Sequence, residues 1–270
     1  MEEQFAYNPR TAFDVREVVT RPRAGALVRD FTYASPFDRR RAAYLVRPEG
    51  SRSHPLAAVL YVHWYEPESP DSNRTQFLDE AVGLASRGVV SLLIETMWSD
   101  RDWFIKRTQS QDHRNTLEQV VELRQAMDLL LAEPGVDAAR LAYVGHDFGA
   151  MYGVLMGAVD PRPRAYVLMA GTPRFPDWYL YYPALEGDAR QAFIDSFEPY
   201  DPISLVDRLA PAALLFQFGE DDFHVPAEKG QAFFEAAKDP KQIRWYNAGH
   251  GLNQQANSDR LAWLARQLKL

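Results

Sequence analysis

The feature that most limits the fold of this chain is a series of six short apolar runs, most of them nearly continuous rather than alternating. Strands buried on both faces of a parallel sheet have this pattern, because helices cover both sides of the sheet. The predicted strands are residues 57–62, 89–94, 141–144, 165–170, 212–218 and 243–246, with two more at 28–35 and 40–46 that we expect to form an antiparallel edge. The runs predict an eight-stranded, mostly parallel sheet.

Segments with helical periodicity separate the predicted strands. In residues 115–132, for example, the apolar side chains fall on one broad helix face. Further helices are predicted at residues 75–87, 150–159, 226–238 and from about 257 to the end. Strands that alternate with helices imply right-handed crossovers, so the sequence predicts an α/β fold with helices on both faces of the sheet, in a single domain over residues 1–270.

The composition excludes several classes of function. The chain has 30 Lys and Arg against 37 Asp and Glu, so neither nucleic acid nor a membrane is expected as a partner. It contains no cysteine, which rules out thiol nucleophiles and cysteine-ligated metals, and we expect no cofactor. The N-terminus lacks the segments of a signal peptide, so we expect a cytoplasmic protein. Aromatic residues make up 13% of the chain, enough for an aromatic-lined pocket that binds a small molecule.

The sharpest local motif is Gly-His-Asp-Phe-Gly at residues 145–149, directly between a predicted strand and a predicted helix. A chain that turns this abruptly needs small residues on both sides of the apex, because the apex residue takes a strained backbone conformation. The motif therefore predicts a nucleophile elbow with Asp147 at its apex. The positive end of the helix dipole favours an ionised Asp147 there, although a simple N-cap is the alternative role.

Two further candidates follow the last two predicted strands. Asp221 and Asp222 come after the first of these strands, and His250 comes after the second, between two glycines. The carboxyl ends of parallel strands meet at one edge of the sheet, where open α/β folds bind their ligands. The set of Asp147, an acid and His250, in this order along the chain, therefore predicts a catalytic triad. Asp222 is preferred as the acid because it leaves the turn room to close onto the next helix.

A long irregular stretch, at about residues 172–209, lies between two predicted strands. It contains five prolines and an aromatic cluster at residues 178–182. Loops of this length inside a compact domain are more often functional than decorative. We therefore predict a short lid-like insertion.

These features resemble the α/β-hydrolase superfamily over almost the whole chain. Residues 120–130, followed by Pro-Gly-Val-Asp at 134–137, are typical of the dienelactone hydrolase and acetyl xylan esterase branch. That branch usually carries Ser or Cys at the elbow apex. The elbow at residues 145–150 is instead similar to that of epoxide hydrolases and of haloalkane or haloacetate dehalogenases, so the chain combines an esterase-like skeleton with a dehalogenase-like aspartate.

The resemblance implies a hydrolase that works through a covalent intermediate. Attack of a carboxylate on an ester carbonyl would give an unstable mixed anhydride, whereas attack on a saturated carbon bearing a halide or an epoxide oxygen gives an ordinary ester. Asp147 would be the nucleophile, and His250, oriented by Asp222, would activate the water that cleaves the ester. The substrate would be small and largely apolar.

The resemblance also implies an oxyanion hole and a pocket. One backbone N–H donor would be Phe148. The second would be Trp64 or Tyr65, and Trp64 is preferred. The side chains expected to contact the substrate are His63, Tyr65, Trp98, Trp178, Tyr179 and Tyr182. Tyrosines of the lid, Tyr179, Tyr181, Tyr182 and Tyr200, could protonate an epoxide oxygen, and Trp64, Trp98, Trp103 and Trp178 could bind a halide.

Three alternatives stay open at this point. The chain could be an ester or lactone hydrolase of the dienelactone hydrolase type, with Asp147 acting as a base for water. It could be a binding protein that has kept the fold and lost catalysis. Finally, His63, Asp147, Asp222 and His250 could converge on a metal ion, although no local ligand spacing supports this and we expect no metal.

Overall fold

A computed structural model describes residues 2–50 and 55–270 of the chain. In these residues nine strands form one sheet: β1 Arg16–Arg23, β2 Ala26–Ala34, β3 Arg40–Pro48, β4 Leu56–Val62, β5 Val89–Ile94, β6 Val136–His146, β7 Ala165–Met169, β8 Ala213–Gly219 and β9 Lys241–Tyr246. The order across the sheet is β1-β2-β3-β5-β4-β6-β7-β8-β9. The first three strands are antiparallel, and β5, β4 and β6 to β9 run parallel to one another.

The predicted mostly parallel α/β sheet is confirmed, but the prediction of eight strands missed β1. Seven of its eight residues are exposed, and its sequence, Arg-Glu-Val-Val-Thr-Arg-Pro-Arg, contains no apolar run. It forms an edge of the sheet and pairs with β2 alone among the described strands. Pairing of backbone groups holds such a strand in place, and apolar patterning does not report it.

Nine α-helices connect the strands in the described part of the chain: α1 Leu78–Ala85, α2 Trp103–Lys106, α3 Gln109–Leu131, α4 Phe148–Val159, α5 Pro176–Tyr179, α6 Gly187–Phe197, α7 Pro202–Leu205, α8 Ala227–Ala236 and α9 Gln254–Gln267. Short 3-10 turns lie at Glu2–Phe5, Met97–Ser99, Glu198–Tyr200 and Val206–Leu209. None of the described helices is both long enough and apolar enough to cross a membrane.

Two apolar clusters cover the two faces of the sheet. One contains buried side chains of α3, α4 and α8, and the other contains those of α1 and α9. Strand β4 contributes to both, because successive side chains of a strand point to opposite faces: Leu60 lies in the first cluster and Val59 and Tyr61 in the second. The continuous apolar runs of the sequence are explained by this burial on both faces.

The stretch predicted as a lid connects β7 to β8 and contains α5, α6 and α7. Its buried aromatic side chains, among them Phe175, Tyr179 and Phe197, belong to the first apolar cluster. The Lys229 ammonium of α8 lies 2.7 Å from the Asp177 carboxylate of α5, which ties the two helices together. The segment therefore brings α5 to the edge of the sheet where β6, β8 and β9 end.

Candidate functional site

The turn from β6 into α4 has the geometry of a nucleophile elbow. Asp147 has φ 55° and ψ −118°, in the left-handed region that non-glycine residues rarely adopt. A Cβ on Gly149 would lie 2.2 Å from the Val62 carbonyl oxygen, and one on Gly145 would lie 2.3 Å from the Gly149 carbonyl oxygen. Neither position therefore accepts a side chain, and Asp147, itself fully buried, occupies the apex.

Of the two other predicted triad residues, His250 lies next to Asp147, and Asp222 lies on the opposite side of the His250 ring. Asp222, which follows β8, accepts backbone hydrogen bonds from His224 and Val225 on Oδ1, at 2.8 and 3.2 Å. Its Oδ2 lies 2.8 Å from Nδ1 of His250, so this ring nitrogen donates to the carboxylate. On the other side of the ring, Nε2 lies 3.7 Å from Oδ1 of Asp147, which is an ion-pair distance rather than a hydrogen bond.

The two carboxylates control the charge of His250. Burial disfavours its imidazolium, but the interactions with Asp147 and Asp222 outweigh burial and raise the pKa of His250 to about 10. Burial alone would raise the pKa of Asp222, but its bond to His250 lowers that pKa below its ordinary value. The resting site therefore holds an imidazolium between two carboxylates at neutral pH.

The two carboxylate oxygens of Asp147 have different surroundings. The Tyr65 N–H donates to Oδ2 at 3.2 Å. Among the described residues, Oδ1 of Asp147 and Nε2 of His250 are buried without a hydrogen-bond partner. Buried polar atoms normally have partners, so these two atoms, 3.7 Å apart, are exceptions in the site. Oδ2 therefore has a hydrogen bond that Oδ1 lacks.

In the loop after β4, the N–H directed at Asp147 is that of Tyr65 and not that of Trp64, the oxyanion donor that the sequence predicts. The Trp64 N–H donates to the Gln76 side chain at 2.9 Å and so is not directed at Asp147. The Tyr65 N–H, one residue later, takes that position. The Phe148 N–H begins α4, where the first backbone donors have no partner inside the helix.

Two residues predicted to contact substrate are buried and hydrogen-bonded within the protein. His63 is buried, with Nδ1 2.6 Å from the Trp64 carbonyl oxygen and Nε2 2.7 Å from the Ser99 hydroxyl. Burial lowers the pKa of His63 to about 4, so the ring is neutral. Trp98 is fully buried and donates to the His63 carbonyl oxygen at 3.1 Å. Both side chains support the loop that carries Tyr65.

The lid tyrosines do not reach Asp147 either. Tyr179 is fully buried, and its hydroxyl bonds to those of Tyr152 and Thr116 at 2.5 and 3.2 Å. Tyr181 and Tyr182 are exposed. The Tyr200 hydroxyl donates to Gln4 at 2.8 Å. Of the two lid tyrosines predicted to contact substrate, Tyr179 therefore lies in the core and Tyr182 on the surface.

Trp178 and Tyr65 are the predicted pocket residues that do lie at the site. The Trp178 ring packs 5.8 Å from Phe148 and 5.9 Å from His250, measured between ring centroids. Its buried indole N–H has no hydrogen-bond partner among the described residues. The Tyr65 ring lies 5.8 Å from both Trp103 and Phe104, and its hydroxyl donates to the Arg101 carbonyl oxygen at 3.0 Å.

Trp103, predicted only as a possible halide ligand, lies against Phe148, and three further residues of the site were not predicted: Gln76, His146 and His224. Trp103 packs 5.3 Å from Phe148, and His224 packs 4.9 Å from Trp178 and 5.2 Å from His250. Gln76 and His146 are hydrogen-bonded to each other and connect the loops behind the triad. Two of the three unpredicted residues could have been found from the sequence, because His224 lies two residues after Asp222 and His146 lies directly before Asp147. No sequence signal pointed to Gln76, because it is remote along the chain from the triad residues.

The metal alternative is not supported by the described residues. No group of three or more His, Asp or Glu side chains among them could hold a metal ion. His63, one of the four suggested ligands, has both ring nitrogens bonded elsewhere.

Neither a protein-family model nor a curated protein sequence matches the chain. Solved structures do. An acetyl xylan esterase from Paenibacillus sp. R4 is 16% identical with a TM-score of 0.75, over 95% of this chain and 90% of that one. Acetyl xylan esterase 1 from Thermoanaerobacterium sp. JW/SL YS485 is 14% identical with a TM-score of 0.73, over 98% and 91%.

A protein assigned as a dienelactone hydrolase, from Klebsiella pneumoniae subsp. pneumoniae MGH 78578, is 18% identical with a TM-score of 0.65, over 90% of this chain and 98% of that one. At these identities the likeness concerns the fold. The chain has the α/β-hydrolase fold with a dienelactone hydrolase-like skeleton, as the sequence predicted.

Proposed function

We propose that this protein is a hydrolase that uses Asp147 as a nucleophile toward a saturated, electrophilic carbon. The observation that carries the proposal is the asymmetry of the Asp147 carboxylate. Oδ2 accepts the Tyr65 N–H, while Oδ1 is buried, without a hydrogen bond among the described residues, 3.7 Å from Nε2 of His250. Likeness to esterases and other hydrolases of the same fold supports the general class.

In the first step, Oδ1 of Asp147 attacks the carbon, the bond from that carbon to the leaving group breaks, and an alkyl ester forms. The leaving group departs with the bonding electron pair. Asp147 is then neutral, so His250 has lost one of the two charges that keep it protonated. Its pKa falls, and its proton passes to solvent.

In the second step, neutral His250 accepts a proton from water and the resulting hydroxide attacks Cγ of Asp147. Negative charge develops on Oδ2, which already accepts the Tyr65 N–H, and Asp147 itself stands at the N-terminus of α4. Collapse breaks the bond from Cγ to the ester oxygen, the alkoxide takes the proton from His250, and the alcohol leaves. Asp147 is left as a carboxylic acid with one oxygen from water, and its proton returns to His250 to restore the resting ion pair.

The surroundings of the leaving group favour displacement of a halide over opening of an epoxide. Epoxide opening needs an acid for the developing alkoxide, and the hydroxyl groups of Tyr179 and Tyr200 are bonded elsewhere. A halide needs only N–H donors. The indole N–H of Trp178 is buried beside Phe148 and His250 and has no partner within the described residues.

The alternative is ester or lactone hydrolysis in which Asp147 acts as a base for water, and the esterases of the same fold favour it. In that reaction the substrate carbonyl would need the oxyanion donors. The Tyr65 N–H is already bonded to Oδ2 of Asp147, so the carboxylate competes with the substrate for it. This competition is the physical reason for preferring the covalent route.

The test uses His250→Gln with 1-bromobutane and 1,2-epoxybutane, two probes that differ in the leaving group. Because the second step needs His250, the ester should accumulate, and intact-protein and peptide mass spectra should locate one butyl group on Asp147. The double variant that also carries Asp147→Asn is the control and should stay unmodified. Absence of the adduct with both probes would overturn the covalent proposal.

A single turnover of the native protein in oxygen-18 water separates the two reactions. The covalent route puts the label into the Asp147 carboxylate, and the first product carries an unlabelled oxygen. Direct attack of water on p-nitrophenyl acetate puts the label into the product alone. Tight reversible binding of the probes without either result would favour a non-catalytic binding protein.

A further inference from the structure

A chain of three hydrogen bonds lies behind the triad. The Trp64 N–H donates to Oε1 of Gln76 at 2.9 Å. Nε2 of Gln76 lies 2.6 Å from Nδ1 of His146, and Nε2 of His146 lies 2.9 Å from the backbone carbonyl oxygen of His250. These three bonds connect the loop that contains Tyr65 to the loop that contains His250. They pass through His146, which directly precedes Asp147 in the sequence.

The direction of every bond follows from its two ends. A backbone N–H can only donate, so the Gln76 oxygen faces Trp64 and the Gln76 amide nitrogen donates to Nδ1 of His146. Nδ1 therefore carries no proton, and Nε2 donates its proton to the carbonyl oxygen of His250. This requires a neutral His146. Burial, together with the positive charge of His250, lowers the pKa of His146 well below its ordinary value.

The packing of the rings reinforces the chain. The Trp64 indole is stacked on His146, with ring centroids 4.8 Å apart and planes at 17°. The same indole also faces His250 at 6.1 Å and 18°. Its Nε1 donates to Asp71 at 3.0 Å, which holds it in this position. His146 is fully buried, so water cannot replace a hydrogen-bond partner that it loses.

We propose that Gln76 and His146 are positioning residues that hold the Tyr65 N–H and the His250 imidazole in one geometry for the hydrolysis of the Asp147 ester. The inference rests on the proposed function. It assigns roles to two side chains that do not touch the reacting atoms: His146 places the backbone of His250, and Gln76 places the backbone of Trp64, next to the oxyanion donor.

The two half-reactions should respond differently to loss of this chain. His250 acts as a base only in hydrolysis. The Tyr65 N–H also matters more there, because negative charge leaves Oδ2 during alkylation and returns to it when hydroxide attacks Cγ. Misplacement of either group therefore slows hydrolysis more than alkylation, and the ester accumulates.

The test is a single-turnover measurement on the full chain with 1-bromobutane as the probe. In Gln76→Leu and His146→Phe, alkylation should stay within about threefold of the native rate, while hydrolysis should fall by about 10- to 100-fold, the effect of catalytic groups displaced by up to about 1 Å. His146→Gln, whose amide can still donate to the His250 carbonyl oxygen, should recover most of the lost rate. Intact-protein mass spectra measure the accumulated ester.

Gln125→Leu is the matched control. Like Gln76, Gln125 is a glutamine whose amide makes a hydrogen bond inside the protein. It is buried and donates to the Ala34 carbonyl oxygen at 3.0 Å, away from the triad. It should lose stability without changing the ratio of the two rates. Equal slowing of both half-reactions in Gln76→Leu and His146→Phe, as expected from general loss of structure, would overturn the proposal.

A second measurement separates failure of this proposal from failure of the proposed function. Nitrogen-15 NMR of histidine-labelled native protein reads the tautomer directly, and His146→Phe assigns the signal among the six histidines. The expected result is neutral His146 with the proton on Nε2. A proton on Nδ1, or a charged ring at neutral pH, would overturn the proposal even if no probe alkylates Asp147.

Discussion

Replacement of Asp147 by Asn removes one of the two carboxylates that flank His250 and keeps the shape of the side chain. The charge state of the base can therefore be tested without a substrate. Asn is also the neutral counterpart of the ester that we propose, since neither carries a charge on Oδ1. If the reasoning is right, Asp147→Asn should convert His250 from a resting imidazolium into a base that can accept a proton near neutral pH.

The size of the effect follows from the distance between the two groups. Unit charges 3.7 Å apart interact by roughly 4.5 kcal/mol at an effective dielectric constant of about 20. At about 1.36 kcal/mol per pKa unit, this corresponds to roughly three units. The pKa of His250 is raised to about 10 in the native protein, so it should fall to roughly 7 in Asp147→Asn.

The assay is an NMR titration of carbon-13-labelled histidine between pH 5 and pH 11, with His250→Gln to assign the signal. Asp221→Asn is the control, because the Asp221 side chain is exposed and the structure gives it no contact with His250. It should leave the titration unchanged. A native His250 that titrates near pH 6.5, or a pKa that stays in place in Asp147→Asn, would refute the account of an imidazolium held between two carboxylates.

Two further predictions concern the elbow and the lid. Gly149→Ala should destabilise the protein by about 3 kcal/mol or more, because its Cβ would lie 2.2 Å from the Val62 carbonyl oxygen; urea unfolding measures this, and Gly83→Ala, with nothing within 4 Å of its Cβ on a helix, should be neutral or stabilising by up to about 1 kcal/mol. Trp178→Phe keeps a ring but removes the indole N–H, and it should slow alkylation by 1-bromobutane by about 10- to 100-fold, as expected for a hydrogen bond to a developing anion. An equal loss with 1,2-epoxybutane would argue that the indole packs rather than binds the leaving group.

Much of the framework could be predicted from the residues alone. Strands β4, β5 and β7 are buried along their whole length because both faces of the sheet are covered there, and this burial is visible in the sequence as almost continuous apolar runs. The glycines around Asp147 are visible because a turn without space for Cβ permits no other residue. The convergence of Asp147, Asp222 and His250 could be predicted because each follows a parallel strand, and these strands end at one edge of the sheet.

Other features depended on the tertiary structure. The edge strand β1 was missed because its residues are exposed and it is held by backbone pairing. The loop after β4 directs the Tyr65 N–H at Asp147 and the Trp64 N–H at Gln76, and a shift of one residue along the turn would exchange these roles. Nothing in the apolar pattern encodes that register.

The aromatic residues show the same division. Composition indicated an aromatic-walled site, but Trp98, Tyr179 and Tyr182 prove to be core or surface, whereas Trp178 lies beside His250. The sequence alone determined the parallel part of the sheet, the elbow and the placement of Asp147, Asp222 and His250 at one sheet edge, since each depends on a local pattern of apolar residues, glycines and strand ends. Tertiary packing alone decided which N–H points at Asp147 and which rings surround it, because those contacts join segments that are far apart along the chain.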